Sequence, residues 1–520
     1  MRALFAVLLV LAAPVAAQQY LIVGPGPAPS LALSGGAVKG PVKQMSPLNM
    51  LAKVAVSGAS YNPRINGVMA LPPTLAYATY WGISTAYALG QKAIVFTGSG
   101  ATSNANFYVV TTAGTSASSG TGPSGTGTGI TDGTVVWSSW GPAGASTGSN
   151  AHPSAQYSAT SAVNSYLWNG GAGLAGVGGP INYYGGIIAN NVATGAMALL
   201  GPTVAGTRAA GGGRWEFVTD SIYPVVRIFS VAASSSFRVI VNGQYVSPTP
   251  VISTLPAWQV LLLDFSAVGG RAMRTIEIEA QSNSYFVGVD VASNEGVYSP
   301  GGAQQLAVVA TGDSITASAG AAYIYDGYLQ ILCDNLGVRN CISTAIGGTG
   351  YIATATSGTA LSRISDVISA VAAYPNSIVV DGNGINDTPF GGPAIQAACL
   401  AYMQALRAAL GPNVPIVELG VIAASNGGAS WAAGLAAENA KKAAVAQMND
   451  PLIFFLPSIT APGGSMFTGT SNDTAPSGVG NSGVYVNGLS LPHPNTLGHA
   501  FLGRQYLNSV WLNILNSTGY

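Results

Sequence analysis

The sequence predicts a multidomain chain: a small β module, an all-β sandwich and a C-terminal α/β domain on a parallel sheet. Three observations lead there. From Leu306 to Leu515 short apolar runs alternate with helical patterns. Between Ile181 and Pro300 many short strands follow one another, bounded by turns. A chain of 520 residues is also too long for one ordinary core, and about two to four domains are expected.

The elements run in order as follows. Met1-Arg2, the apolar run Leu4 to Ala13 and the small residues Val15-Ala16-Ala17 read as a signal peptide, residues 1–17, cleaved after Ala17. The apolar run is shorter than the ~20 residues a membrane span needs. The expected location is therefore secreted or periplasmic. Residues 18–75 are rich in Pro and Gly and read as an extended lead-in. Residues 76–145 read as a small β module, in which Trp81 to Leu89 and Lys92 to Phe96 precede a Gly/Ser/Thr-rich stretch, Gly114 to Gly129. An Asp132-Gly133 turn then feeds a β-branched strand ending at Trp137. Trp81, Trp137 and Trp140 could stack on sugar rings, although core packing is the plainer use of tryptophan in so small a module. Residues 146–180 read as linker.

Residues 181–300 carry the sandwich signals. Trp215 to Val218, Val225 to Phe229, Phe237 to Val241 and Trp258 to Leu263 are strands, and Asn242-Gly243 is a hairpin turn. Thr275-Ile276-Glu277-Ile278-Glu279 alternates, apolar in and charged out. Residues 303–520 form the α/β domain. Its strands are Leu306 to Ala310, Ser377 to Val380, Pro415 to Val421 and Leu452 to Leu456. Its helices are Ala322 to Leu336, Pro393 to Leu410, Ala432 to Met448 and Ala500 to Leu515.

Composition narrows the function. Charged residues are 7% of the chain, against roughly 25% in an ordinary protein. Eighteen basic and eighteen acidic residues cancel, so no basic patch awaits a phosphate backbone and nucleic acid is not an expected partner. Three histidines and three cysteines, without ligand spacing, predict no metal site. Cys333 and Cys341 flank a turn-like stretch and can pair, whereas Cys399 lies in an apolar helical pattern and reads as a buried thiol. Gly382-Asn383-Gly384 lacks the spacing of a dinucleotide loop, so no cofactor is expected.

In a parallel α/β sheet, ligands sit at the carboxyl ends of the strands, and four segments there carry candidate chemistry. Thr311-Gly312-Asp313-Ser314 places a serine at a strand-to-helix turn, near the positive end of a following helix, though the same tripeptide serves as an ordinary N-cap. Ala345-Ile346-Gly347-Gly348-Thr349-Gly350 lets backbone N–H groups approach a ligand oxygen. Asp381-Gly382-Asn383-Gly384-Ile385-Asn386-Asp387 delivers an amide that can donate to an oxyanion or close an Asx-turn. Leu491-Pro492-His493 puts an imidazole before the last helix. Of the other histidines, His152 lies in the low-complexity linker and His499 reads as a structural hydrogen-bonder.

In this order the four blocks resemble those of the SGNH (GDSL-type) hydrolase superfamily, over about residues 303–520. The steps between Ser314, Gly348, Asn386 and His493 are 34, 38 and 107 residues. The resemblance implies a flavodoxin-like three-layer fold and an acyl-enzyme mechanism. Ser314 would be the nucleophile and His493 the base. An oxyanion hole would come from the N–H groups of Ser314 and Gly348 and the Asn386 amide, with Gly347 the fallback. One position departs. Family members carry an aspartate three residues before the histidine, where this chain has Ser490. Ser490 itself, a backbone carbonyl or a distant carboxylate such as Asp473 could orient the imidazole.

The chain is similar in layout to two-domain carbohydrate acetylesterases with a β-sandwich ahead of the SGNH domain. That likeness implies a secreted serine esterase removing acetyl or other short acyl groups from a polysaccharide. A lipase or arylesterase of the same fold is the first alternative. A phage-tail-like or adhesin-type glycan-binding protein with little or no hydrolysis is the second. Acyl transfer through the same intermediate also stays open.

Overall fold

The computed structural model describes residues 68–142 and 213–510, together with residues 47, 48, 51, 163–167, 181–185, 187–191, 196–200, 203–204, 207–208 and 513–514. The two long stretches have gaps at 98–103, 126, 231–235, 253–256, 281–283, 293–294, 301–305, 356, 423–427, 469–479 and 487–492. The signal-peptide expectation at residues 1–17 lies outside the described residues, as does His152. Leu48 and Leu51, in the expected lead-in, are buried against Leu306, Leu502 and Val510 of the α/β part. Within the expected linker, Val163–Leu167 is a strand paired antiparallel with Ser284–Ala292.

The β module is continuous with the β structure that follows it. Lys92–Thr97, Asn104–Thr112, Val135–Pro142 and Ile130–Asp132 pair antiparallel in that order. Thr74–Tyr80 then joins Lys92–Thr97 on one end and Ala257–Asp264 on the other, so a single eleven-stranded sheet runs through both regions. A seven-stranded antiparallel sheet contains Gly213–Thr219, Ser236–Val241 and Arg274–Ala280. Trp215, Phe217, Phe237, Ile276 and Ile278 of this sheet share a core with Val226, Ile228, Leu261, Leu263 and Val289 of the other. The hairpin at Asn242-Gly243 has φ of 48° and 77°, the pair of positive values that Asn-Gly supplies at little cost.

The charged face of Arg274–Ala280 is a correction. Alternation predicts Glu277 and Glu279 in solvent, yet each is 1% exposed. The α/β part covers them. Arg214 Nη1 stands 2.5 Å from Asp334 and its Nη2 2.8 Å from Glu279. Arg238 reaches Glu279 at 2.6 Å and Asp326 at 3.0 Å. Arg339 pairs with Glu216 at 2.6 Å and also with Glu277. The Tyr325 hydroxyl lies 2.5 Å from the Gly213 carbonyl and 2.9 Å from that of Ala280. Strand periodicity states that two faces differ; it does not state what covers the polar one.

Residues 306–510 form a three-layer α/β unit. Its parallel strands are β1 (Leu306–Gly312), β2 (Asn340–Ser343), β3 (Asn376–Gly382), β4 (Ile416–Leu419) and β5 (Ile453–Leu456). Its helices are α1 (Tyr328–Asn335), α2 (Ile364–Ala373), α3 (Gly392–Leu410), α4 (Gly428–Met448), α5 (Ser482–Tyr485) and α6 (Thr496–Val510). The strand order is 2-1-3-4-5, the flavodoxin-like order with its switch point between β1 and β3. Leu306, Val308 and Ala310 point to the layer of α1 and α6, and Ala307 and Val309 to that of α2, α3 and α4. This alternation is why β1 reads as an unbroken apolar run in sequence. β2 and α2 were not anticipated as separate elements. Cys333 and Cys341 form a disulfide joining α1 to β2, and Cys399 is buried on α3.

The helix expected from Ala322 begins only at Tyr328. Residues 313–320 form successive turns, with Ser318 at φ 68° and Gly320 at φ 92°, values no helix accepts.

Candidate active site

Ser314 leaves the carboxyl end of β1, and His493 stands three residues before α6. The sheet and α6 bring them together: His493 Nε2 is 2.7 Å from Ser314 Oγ, across 179 positions of sequence. A serine hydroxyl in hydrogen-bond contact with an imidazole can pass its proton to the ring as it attacks an acyl carbon. No helix starts at Ser314, so the helix dipole expected to favour it is absent, and the polar side chain beside its hydroxyl is the His493 imidazole. The turn beneath the imidazole requires glycine at 320. A Cβ there would stand 2.1 Å from the Pro494 carbonyl oxygen and 3.0 Å from His493 Cβ.

The glycine turn after β2 lies on the other side of Ser314. A Cβ at Gly347 would come within 3.3 Å of Ser314 Cβ, whereas Gly348, at φ 76°, faces Ala355. Asn386 donates from Nδ2 to the Thr349 carbonyl at 2.9 Å, which leaves its second amide hydrogen for a ligand. Its neighbour Asp387 accepts the backbone amides of Tyr351, Ile352 and Ala353 at 2.7, 2.9 and 2.8 Å. Arg363 adds bonds to Thr349 Oγ1 at 2.8 Å and to the Thr344 carbonyl at 2.6 Å. The turn is therefore held from both ends.

Behind these loops lies a buried titratable cluster. Burial pushes the Asp313 carboxyl up to about 7, against the opposing pull of the Ile315 amide and the Lys441 ammonium. Burial, with Asp381 adding to it, pushes Glu418 up to about 8 although Lys441 is 2.8 Å away. For Lys441 burial acts downward, but Glu418 and Asp381 outweigh it and hold the ammonium charged. Two carboxyls thus face one ammonium, and they titrate as one coupled group. His499 is also buried. Burial lowers it to about 4. Its Nδ1 accepts the Tyr328 amide at 3.1 Å, so Nε2 carries the proton and donates to the Ala319 carbonyl at 2.9 Å. It is a neutral structural histidine, as its position suggested.

Trp81 and Trp137 are not placed to stack on a sugar. Trp137 is fully buried among Tyr87, Val95 and Tyr108, and Trp81 is 7% exposed with its indole N–H on Asp132 at 2.6 Å. The side chain of Trp140 lies outside the described residues, as do Ser490 and Asp473. Among the described residues no cluster of His, Cys, Asp or Glu is placed to hold a metal, and no helix is long and apolar enough to cross a membrane. Sequence reasoning missed Tyr351, Arg363, Glu418 and Lys441. One signal was present: Glu418 interrupts the apolar run of a strand buried on both faces, and a charge there needs a partner.

No family model matches the sequence, and no curated protein matches it. Solved structures are similar to the fold. A family two carbohydrate esterase from Cellvibrio japonicus is 13% identical, over 68% of this chain and 99% of that one, with a TM-score of 0.48. One from Clostridium thermocellum in complex with cellohexaose is 16% identical, over 65% and 99%, at 0.46. An acetyl xylan esterase from the rumen bacterium Butyrivibrio proteoclasticus is 12% identical, over 69% and 99%, at 0.46. The α/β unit shares with them a parallel sheet flanked by helices, in the flavodoxin-like strand order 2-1-3-4-5.

Proposed function

We propose that the protein is a carboxylic ester hydrolase in which Ser314 attacks the acyl carbon and His493 takes its proton. The 2.7 Å contact between Ser314 Oγ and His493 Nε2 carries this reading. The oxyanion would be met by the N–H groups of Ser314 and of the Gly347-Gly348 turn and by the Asn386 amide, each donor contributing roughly 3 kcal/mol to the transition state. His493 then returns the proton to the leaving alcohol, and water releases the acyl group by the reverse path. The substrate class is an acylated polysaccharide, most simply an acetylated one, as the resemblance of the motif set implies. An export signal ending at Ala17 and a jelly-roll-like sandwich over 181–300 belong to the same proposal. The test is acetate release from acetylated xylan, with p-nitrophenyl acetate alongside. Wild-type release abolished by Ser314→Ala is the expected result; equal release by the variant would remove the proposal.

A lipase or arylesterase is favoured by one observation. Phe390, four residues after Asn386, and Leu497, four after His493, are exposed at 48% and 59%. A chain-length series of p-nitrophenyl esters decides, with rising kcat/KM toward long acyl chains pointing to the lipase.

A further inference from the structure

The two loops that carry the candidate oxyanion donors end on one buried cluster. Lys441 on α4 and Glu418 on β4 are both fully buried and 2.8 Å apart. Lys441 also donates to the carbonyl of Asn383, three residues before Asn386. The Asn383 amide and side-chain nitrogens reach Asp381 Oδ1 at 2.9 and 2.7 Å. From the other loop Tyr351, three residues past Gly348, places its hydroxyl 2.9 Å from Asp381 Oδ2 and 2.5 Å from Glu418 Oε1. The lysine stem packs under the Asn386 loop, where a Cβ at Gly384 would stand 3.2 Å from Lys441 Cδ.

A buried ion pair stabilises a fold little more than apolar side chains of the same volume. Apolar side chains, however, cannot hold a backbone carbonyl and a tyrosine hydroxyl at fixed points. We propose that Lys441, acting with Glu418 and Tyr351, is a positioning residue that fixes the separation between the Gly347-Gly348 turn and Asn386. The cluster acts through the loops and touches no substrate. Its effect belongs to the transition state, because donors aimed at an oxyanion matter only once charge develops there.

The inference rests on the hydrolase reading above, and the experiment separates the two. The full chain is assayed with p-nitrophenyl acetate as wild type, Ser314→Ala, Tyr351→Phe and the charge-neutral double variant Lys441→Met/Glu418→Gln. For each, kcat, KM and the inhibition constant of an alkylboronic acid, which mimics the tetrahedral oxyanion, are measured beside a thermal melt. The double variant is expected to lose at least tenfold in kcat and Tyr351→Phe severalfold. KM should stay within twofold and boronate affinity should fall in parallel with kcat. Values of kcat and boronate affinity within twofold of wild type in Tyr351→Phe, and in the double variant if it folds, overturn the inference. A rise in KM alone also overturns it. Should the double variant fail to fold, Tyr351→Phe decides. Absent wild-type turnover, or turnover retained in Ser314→Ala, removes the hydrolase reading and this inference with it.

Discussion

Asp387 accepts the backbone amide of Tyr351 at 2.7 Å, tying the segment after Asn386 to the segment after Gly348. The same carboxylate also holds the amides of Ile352 and Ala353. Asp387→Ala would leave these three amides without their acceptor, at a cost of about 1–3 kcal/mol for each one that stays buried. We expect a lower melting temperature and at least a tenfold loss of ester turnover. A melt and a p-nitrophenyl acetate assay check both, and a variant unchanged in turnover would detach the loop from the chemistry.

Gly320 lets the turn after Ser314 run under His493. Alanine there would overlap the Pro494 carbonyl at 2.1 Å and impose a side chain on φ 92°. Gly320→Ala should therefore move His493 away from Ser314 and cut kcat by tenfold or more, while the circular dichroism of the sheet domain stays native. Wild-type kcat in the folded variant would mean that the imidazole tolerates the shift.

The buried Asp313 makes stability depend on pH. Its folded pKa, pushed by burial from 3.8 to about 7, lies above the unfolded value, so the folded state holds the proton more tightly. The contribution is complete below about 4 and is lost as pH rises through about 7. Asp313→Asn keeps a neutral side chain at all pH values. Its stability relative to wild type should therefore improve between pH 4 and 7, by up to about 4 kcal/mol. Denaturant melts of both proteins across that range measure the difference, and parallel curves would contradict it.

Asp334 faces Arg214 where the seven-stranded sheet meets the α/β unit, and Arg214 is 3% exposed. Breaking a buried pair from one side costs about 3–5 kcal/mol. Asp334→Ala should therefore lower the denaturation midpoint strongly, and Arg214→Met/Asp334→Leu considerably less. Chemical denaturation compares them, and a small loss in Asp334→Ala would indicate that the remaining partners, Glu277 and Glu279, already satisfy the arginine.

The site was legible where its chemistry is local. Ser314 after an apolar strand, the glycines at 347 and 348, Asn386 after β3 and His493 before the last helix each sit in a short segment whose residue types announce a turn, a donor or a base. Their order along the chain was sufficient to bring them together in expectation. The surroundings were not legible. Glu277 and Glu279 were both assigned outward positions and both are buried, because a period of two separates the faces of a strand without saying which neighbour covers each. Lys441 lies within the helical pattern of Ala432 to Met448, and nothing nearby in sequence marks Glu418 or Asn383 as its partners.

What the amino-acid order determined by itself was the alternation of strand and helix after Leu306, the hairpin at Asn242-Gly243 and the candidacy of Ser314 and His493 as a pair. These follow from backbone conformation and from chemistry carried within a few residues. Only the tertiary structure decided that turns rather than a helix follow Ser314, that the seven-stranded sheet turns its charges toward the α/β unit, and that Lys441, Glu418 and Tyr351 lie behind both donor loops. Those outcomes depend on contacts between residues tens to more than a hundred positions apart, where desolvation makes each charge find a partner that no local pattern encodes.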